Sequence, residues 1–115
     1  MQIATKIASL SNLVVTEISY IQAPLDLLLD ADPCEDAVQG YLRKSRVYAV
    51  IKEGEIIAVC AVLPRGNAVF ELMNIAVAKD YQSQGVGSLL LQYVIDKTKA
   101  LGGRKLVLGT GTFGP

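Results

Sequence analysis

Three β-branched stretches follow one another with only turn residues between them, and a long amphipathic segment comes after the third. This order limits the possible folds more than any other feature of the chain. Val47 to Lys52 and Ile56 to Leu63 are separated by Glu53-Gly54, a pair that favours a tight antiparallel hairpin. Arg65-Gly66-Asn67 supplies a second turn, leading into Ala68 to Val77, so the stretches form a meander before any crossover. From Gly85 to Leu101 the residues Val86, Leu89, Leu90, Tyr93, Val94 and Leu101 recur at helical spacing, and Gly102-Gly103 stops the helix. Lys105 to Leu108 resumes a strand that a right-handed crossover sets parallel to Ala68 to Val77. The predicted fold class is α/β, with a mixed sheet in which an antiparallel meander is followed by a parallel strand across a crossover helix. Upstream, Leu13 to Ile21 reads as a first strand, which Pro24 ends. Asp26 to Leu29 and Glu35 to Lys44 read as short helices, the second opened by Asp32-Pro33 and carrying Val38, Tyr41 and Leu42 on one face.

With 115 residues, 51% of them hydrophobic, the chain suits a single domain spanning residues 1–115. Residues 1–12 read as a loose N-terminal arm, because Thr5, Ser9, Ser11 and Asn12 interrupt the apolar run that a signal peptide or membrane span needs. Lys plus Arg and Asp plus Glu balance at 11 each, so no excess field is available to hold a polyanion, and neither nucleic acid nor a membrane surface is an expected partner. Histidine is absent, which removes imidazole triads and the commonest metal ligand; no metal is expected, and proton transfer falls to carboxylates, Tyr, Lys or water. Cys34 and Cys60 form no C-x-x-C pair, which fits a reducing, cytoplasmic setting. Cys60, inside the apolar run Ala58 to Leu63, reads as a buried, inert thiol.

Gln82-Ser83-Gln84-Gly85-Val86-Gly87 lies between a strand and a helix, where backbone amides and the positive end of the helix dipole can hold a phosphate or pyrophosphate. Taken alone, Gly85 and Gly87 favour a structural reading, shaping a turn and letting the helix approach the sheet. A dinucleotide fingerprint would place a third glycine at Leu90 and an acidic residue where Gly109-Thr110-Gly111 stands. A P-loop would follow Gly87 with Lys rather than Ser88. Both readings are disfavoured.

From Leu13 to Thr110 the order of elements resembles that of GNAT-superfamily N-acetyltransferases. The specific part is Glu71 to Gly111, where Asn74-Ile75-Ala76-Val77 precedes Tyr81-Gln82-Ser83-Gln84-Gly85-Val86-Gly87 at the family's spacing. The resemblance implies that acetyl-CoA is the cosubstrate and an amine the acceptor. It also implies that backbone groups of Gln82, Gln84, Gly85, Val86, Gly87 and Ser88 cradle the pyrophosphate, and that Ile75, Ala76 and Val77 pair with the pantetheine arm. By the same resemblance Glu71 is a candidate base for removing a proton from the acceptor ammonium. Glu71 alternates with Met73 and Ile75, which predicts a shared apolar face and a raised carboxyl pKa; a solvent-facing residue, or one paired with a nearby Lys, is the equal alternative.

The family's helix and strand pair that follow Gly109-Thr110 have no counterpart before Pro115. The expectation is a C-terminally truncated domain: a shortened piece, a naturally short product, or a sheet completed by another chain. An uncovered final strand near Leu106 to Leu108 favours a homo-oligomer. Two alternatives to catalysis remain: a defective CoA-binding module and an interaction domain that keeps only the fold.

Overall fold

The β-branched stretches pair as their spacing predicts. β1 (Leu13–Ile18), β2 (Arg46–Lys52), β3 (Glu55–Gly66), β4 (Val69–Val77) and β5 (Lys105–Leu108) form one sheet in sequence order, antiparallel from β1 to β4 and parallel between β4 and β5. A computed structural model describes residues 12–108; the predicted arm before Asn12 and the segment Gly109 to Pro115 lie outside them.

The turn between β3 and β4 is built differently from the sequence reading. β3 continues to Gly66 instead of ending near Leu63, and Asn67 and Ala68, both at positive φ, make the connection. The physical reason is an extra residue at Arg65. Pro64 pairs with Phe70 and Gly66 with Val69, so the strand bulges beside the proline, which has no N–H to give, and the ladder resumes. The first strand is also shorter than predicted, because Ser19 leaves it to cap a single 3-10 turn, Tyr20–Gln22.

Helices α1 (Leu25–Ala31) and α2 (Glu35–Leu42) cover one face of the sheet, and α3 (Val86–Ala100) covers the other. Leu28, Val38 and Leu42 pack against Val59, Ala61 and Ala76 on the first face. On the second face Val86, Leu90 and Val94 pack against Tyr48, Cys60 and Leu72. β3 lies between two strands and under both layers, which is why Ile57 to Leu63 is an unbroken apolar run buried throughout. The apolar face predicted for α3 is too wide. Leu89 and Leu101 remain exposed at 42% and 41%, whereas Thr98 is buried, so the fully buried row is Val86, Leu90, Val94 and Thr98, with Leu91 and Tyr93 partly buried beside it.

The end of α3 ties the parallel strand to the meander. Gly103 donates to the Thr98 carbonyl at 2.8 Å, and Arg104 donates to the Ala68 carbonyl at 2.7 Å, clamping the β3–β4 turn. A Cβ on Gly103 would fall 2.5 Å from Thr98 Cγ2 and 2.7 Å from the Thr98 carbonyl oxygen. Gly103→Ala is therefore expected to destabilise the protein by about 1–3 kcal/mol. A thermal melt measures this, and an unchanged midpoint would contradict the close approach described.

Candidate functional site

The Gln82 to Ser88 segment folds as its glycines suggest. Gly85 takes the left-handed conformation at φ 86° and stands as N-cap of α3, with its carbonyl accepting the first helical bond, from Leu89 N–H at 3.0 Å. Helix geometry leaves the amides of Val86, Gly87 and Ser88 with no carbonyl one turn back, so they are free to face an anion at the positive end of the dipole. The glutamine side chains brace the loop from below. Gln82 Nε2 donates to the Val77 carbonyl and Gln84 Nε2 to the Asp80 carbonyl, both at 3.0 Å. Lys52 lies over the Tyr81 ring, 5.6 Å from its centroid, just before the loop.

The geometry separates the roles of the two glycines. Positive φ at Gly85 is a backbone requirement. Gly87 carries none: a Cβ there would meet only Val77 Cγ2, at 3.5 Å, which is ordinary contact. Packing within the chain thus gives no reason for glycine at 87.

Next to this loop, β4 departs from a regular strand. Val62 pairs with Leu72 but Ala61 pairs with Asn74, leaving Met73 as an extra residue on β4. The bulge corrects the predicted face of Glu71. Met73 packs on the α1–α2 side and Ile75 on the α3 side, so Glu71 shares its face with Met73 and Asn74 but not with Ile75. Among the described residues, Asn74 to Val77 pair on their β3 side only, because β5 pairs with Val69 to Leu72. The backbone of Ile75, Ala76 and Val77 therefore borders an open edge beside the start of α3.

Glu71 is 9% exposed and is neither solvent-facing nor paired with Lys. Arg65 holds it: Nε donates to Oε1 at 2.7 Å and Nη2 lies 2.6 Å from the same oxygen. The extra residue in β3 is what aims Arg65 at this carboxylate. Sequence reading missed Arg65 because it treated the residue as part of a turn.

Asn74 was also missed as a polar group of the site. It is 2% exposed, and its Nδ2 donates to the Leu28 carbonyl at 3.0 Å and to the Tyr41 hydroxyl at 2.9 Å. Tyr41 in turn donates to Asp32 Oδ2 at 3.3 Å. Burial, and secondarily the nearby Asp32 carboxylate, push the Tyr41 pKa up despite the opposing hydrogen bond from Asn74, so the phenol keeps its proton. A lone Asn between apolar strand residues was the available signal.

Comparison with known proteins gives a consistent result. Residues 16–113 match the model of the "Acetyltransferase (GNAT) family". An uncharacterized N-acetyltransferase, YvbK, from Bacillus subtilis (strain 168) is 37% identical over 86 residues, which are 75% of this chain and 56% of that protein. The structure of an IAA acetyltransferase from Bacillus cereus ATCC 14579 superposes with a TM-score of 0.81 at 35% identity, covering 86% of this chain and 66% of that one. A GNAT family acetyltransferase from Elizabethkingia anophelis with acetyl-CoA bound gives 0.79 at 37% identity, covering 87% and 66%. The chain thus spans little more than half of the curated relative's length.

The cysteines provide a check on the described packing. Burial drives the Cys60 thiol up to about 12, with a backbone hydrogen bond to Tyr48 opposing, while Cys34 is exposed. At mildly alkaline pH the native protein is expected to react with a thiol reagent at Cys34 only, and at both cysteines once denatured. Rapid native labelling of Cys60 would refute the burial of β3.

Proposed function

The chain belongs to the acetyltransferase (GNAT) family, and on that premise we propose that it transfers the acetyl group of acetyl-CoA to a primary amine on a small molecule or protein. The observation that carries this reading is the juxtaposition of the free amides at the start of α3 with the open edge of β4. The Gln82 N–H is taken by the Lys79 carbonyl at 3.4 Å, so the expected cradle narrows to the amides of Gln84 to Ser88, with Gln82 bracing it through its side chain. A pyrophosphate held there would leave the pantetheine arm to run along Ile75, Ala76 and Val77 as an added strand. Acetyl-CoA in the similar Elizabethkingia anophelis enzyme supports the choice of cosubstrate.

The amine must lose a proton before its lone pair can attack the thioester carbonyl. Glu71 is the proposed base, directly or through one water, acting from the α1–α2 side. The carbon–sulfur bond breaks as the amide bond forms, and the CoA sulfur leaves with a proton. A strand N–H can polarise the carbonyl. The Arg65 ion pair, which occupies Glu71 Oε1, is the observation that favours the second reading, a CoA-binding module without turnover. A cytoplasmic setting and self-association through the outer edge of β5, which pairs with no strand among the described residues, complete the proposal. Sedimentation that shows only monomer at high concentration would remove the self-association.

Calorimetric titration with acetyl-CoA tests the cradle. Gly87→Ala is expected to leave stability unchanged or raise it by about 0.5–1 kcal/mol, since glycine is costly in a helix. The same change is expected to weaken acetyl-CoA binding by about tenfold. Equal affinity in both proteins would sink the cradle, and absence of binding by the unaltered chain would sink the cosubstrate. For the base, Glu71→Gln is expected to lower kcat by about 10²–10⁴ with acetyl-CoA affinity retained. A kcat that does not change would exclude Glu71 from proton transfer.

A further inference from the structure

Asn74 Oδ1 is the one buried side-chain polar atom without a hydrogen-bond partner among the described residues. The neighbours fix the orientation of the amide. Both Nδ2 protons are spent on acceptors, the Leu28 carbonyl and the Tyr41 oxygen, and exchanging the two ends would set Oδ1 against the Leu28 carbonyl. The orphan is therefore an acceptor, and what it lacks is a donor.

The atoms behind it strengthen that acceptor. The Tyr41 hydroxyl gives its proton towards Asp32 Oδ2, which makes its oxygen a better acceptor for Asn74 Nδ2, and donation from Nδ2 pushes electron density onto Oδ1. A carboxylate on α1's C-terminal cap thus increases the negative character of an oxygen buried under α1 and α2. Such an atom suits a cationic N–H more than a neutral one. The bulge at Met73 then sets it on the same side of β4 as Glu71.

We infer that Asn74 is a specificity residue of the acceptor side, its Oδ1 taking one N–H of the acceptor ammonium while Glu71 removes another proton. The inference rests on the acetyl-transfer reading and adds to it a second contact for the acceptor ammonium, which is held by a neutral oxygen as well as by a carboxylate. Once deprotonated, a primary amine still has an N–H for Asn74 and its lone pair points away from that bond. The hydrogen bond therefore orients the nucleophile as well as binding it.

The test is steady-state kinetics on the whole chain with acetyl-CoA and three amine probes: spermidine, tyramine and a short lysine-containing peptide. Asn74→Leu fills a similar volume without the oxygen and is expected to raise KM for the amine about ten- to hundredfold, with acetyl-CoA affinity unchanged. Asn74→Asp keeps an oxygen there but loses both donors. It is expected to melt lower than the unaltered chain yet to keep the amine KM at or below the original value, a rescue that a purely structural role would not produce. If Asn74→Leu does not fold, Asn74→Asp decides alone: a raised amine KM overturns the assignment. An amine KM unmoved in Asn74→Leu also overturns it and leaves acetyl transfer standing. No turnover of any probe by an unaltered chain that binds acetyl-CoA overturns acetyl transfer and this inference together.

Discussion

At Met73 strand β4 takes one residue more than β3 can match, and the alternation of its side chains reverses there. Before the bulge Phe70 and Leu72 meet the α3 layer; after it Ile75 and Val77 do. Positions 71 and 74, which a regular strand would send to opposite faces, therefore lie on the same one. A regular β4 would turn Asn74 into the apolar contact between the sheet and α3, where nothing polar waits for it. The placing of Asn74 and Glu71 together on the α1–α2 side depends on this single insertion.

Burial among the described residues is otherwise almost wholly apolar. Glu71, Asn74 and Thr98 are the buried polar or charged residues, and each has a distinct reason for being there. The carbonyl of Thr98 anchors the glycine stop of α3. Glu71 is compensated by a guanidinium whose side chain is itself 49% exposed, so the pair keeps contact with water and avoids the full cost of a buried ion pair. Asn74 bonds to both α1 and α2 and so fixes the helical layer on the strand.

The elements were legible because they rest on local chemistry. Turn pairs, β-branched runs and the spacing of Val86, Leu90 and Val94 gave the meander, the crossover helix and the parallel strand. The site was legible where it depends on backbone shape, at Gly85. Bulges were not, since an extra residue at Met73 or Arg65 leaves no mark in a list of propensities and appears only when two strands are paired. For that reason the sequence suggests Ile75 as a face-mate of Glu71 and does not point to Arg65. The width of α3's apolar face was overestimated for a related reason: Leu89 and Leu101 satisfy helical spacing, but how much of a helix a sheet covers depends on the angle of docking, which is not local.

From Gln82 to Ser88 the chain contains no ionisable side chain. Its shape is held by neutral amides on neutral carbonyls, and the charge it offers a ligand is the fixed partial charge of a helix end. Such a surface has no titration curve. Acidification or alkalinisation leaves the charge of the loop itself unchanged. The ionisable groups nearest to it, Lys79, Asp80, Tyr81 and the Lys52 ammonium over the Tyr81 ring, flank the loop without being part of it, so the shape of the nest is set by the backbone alone.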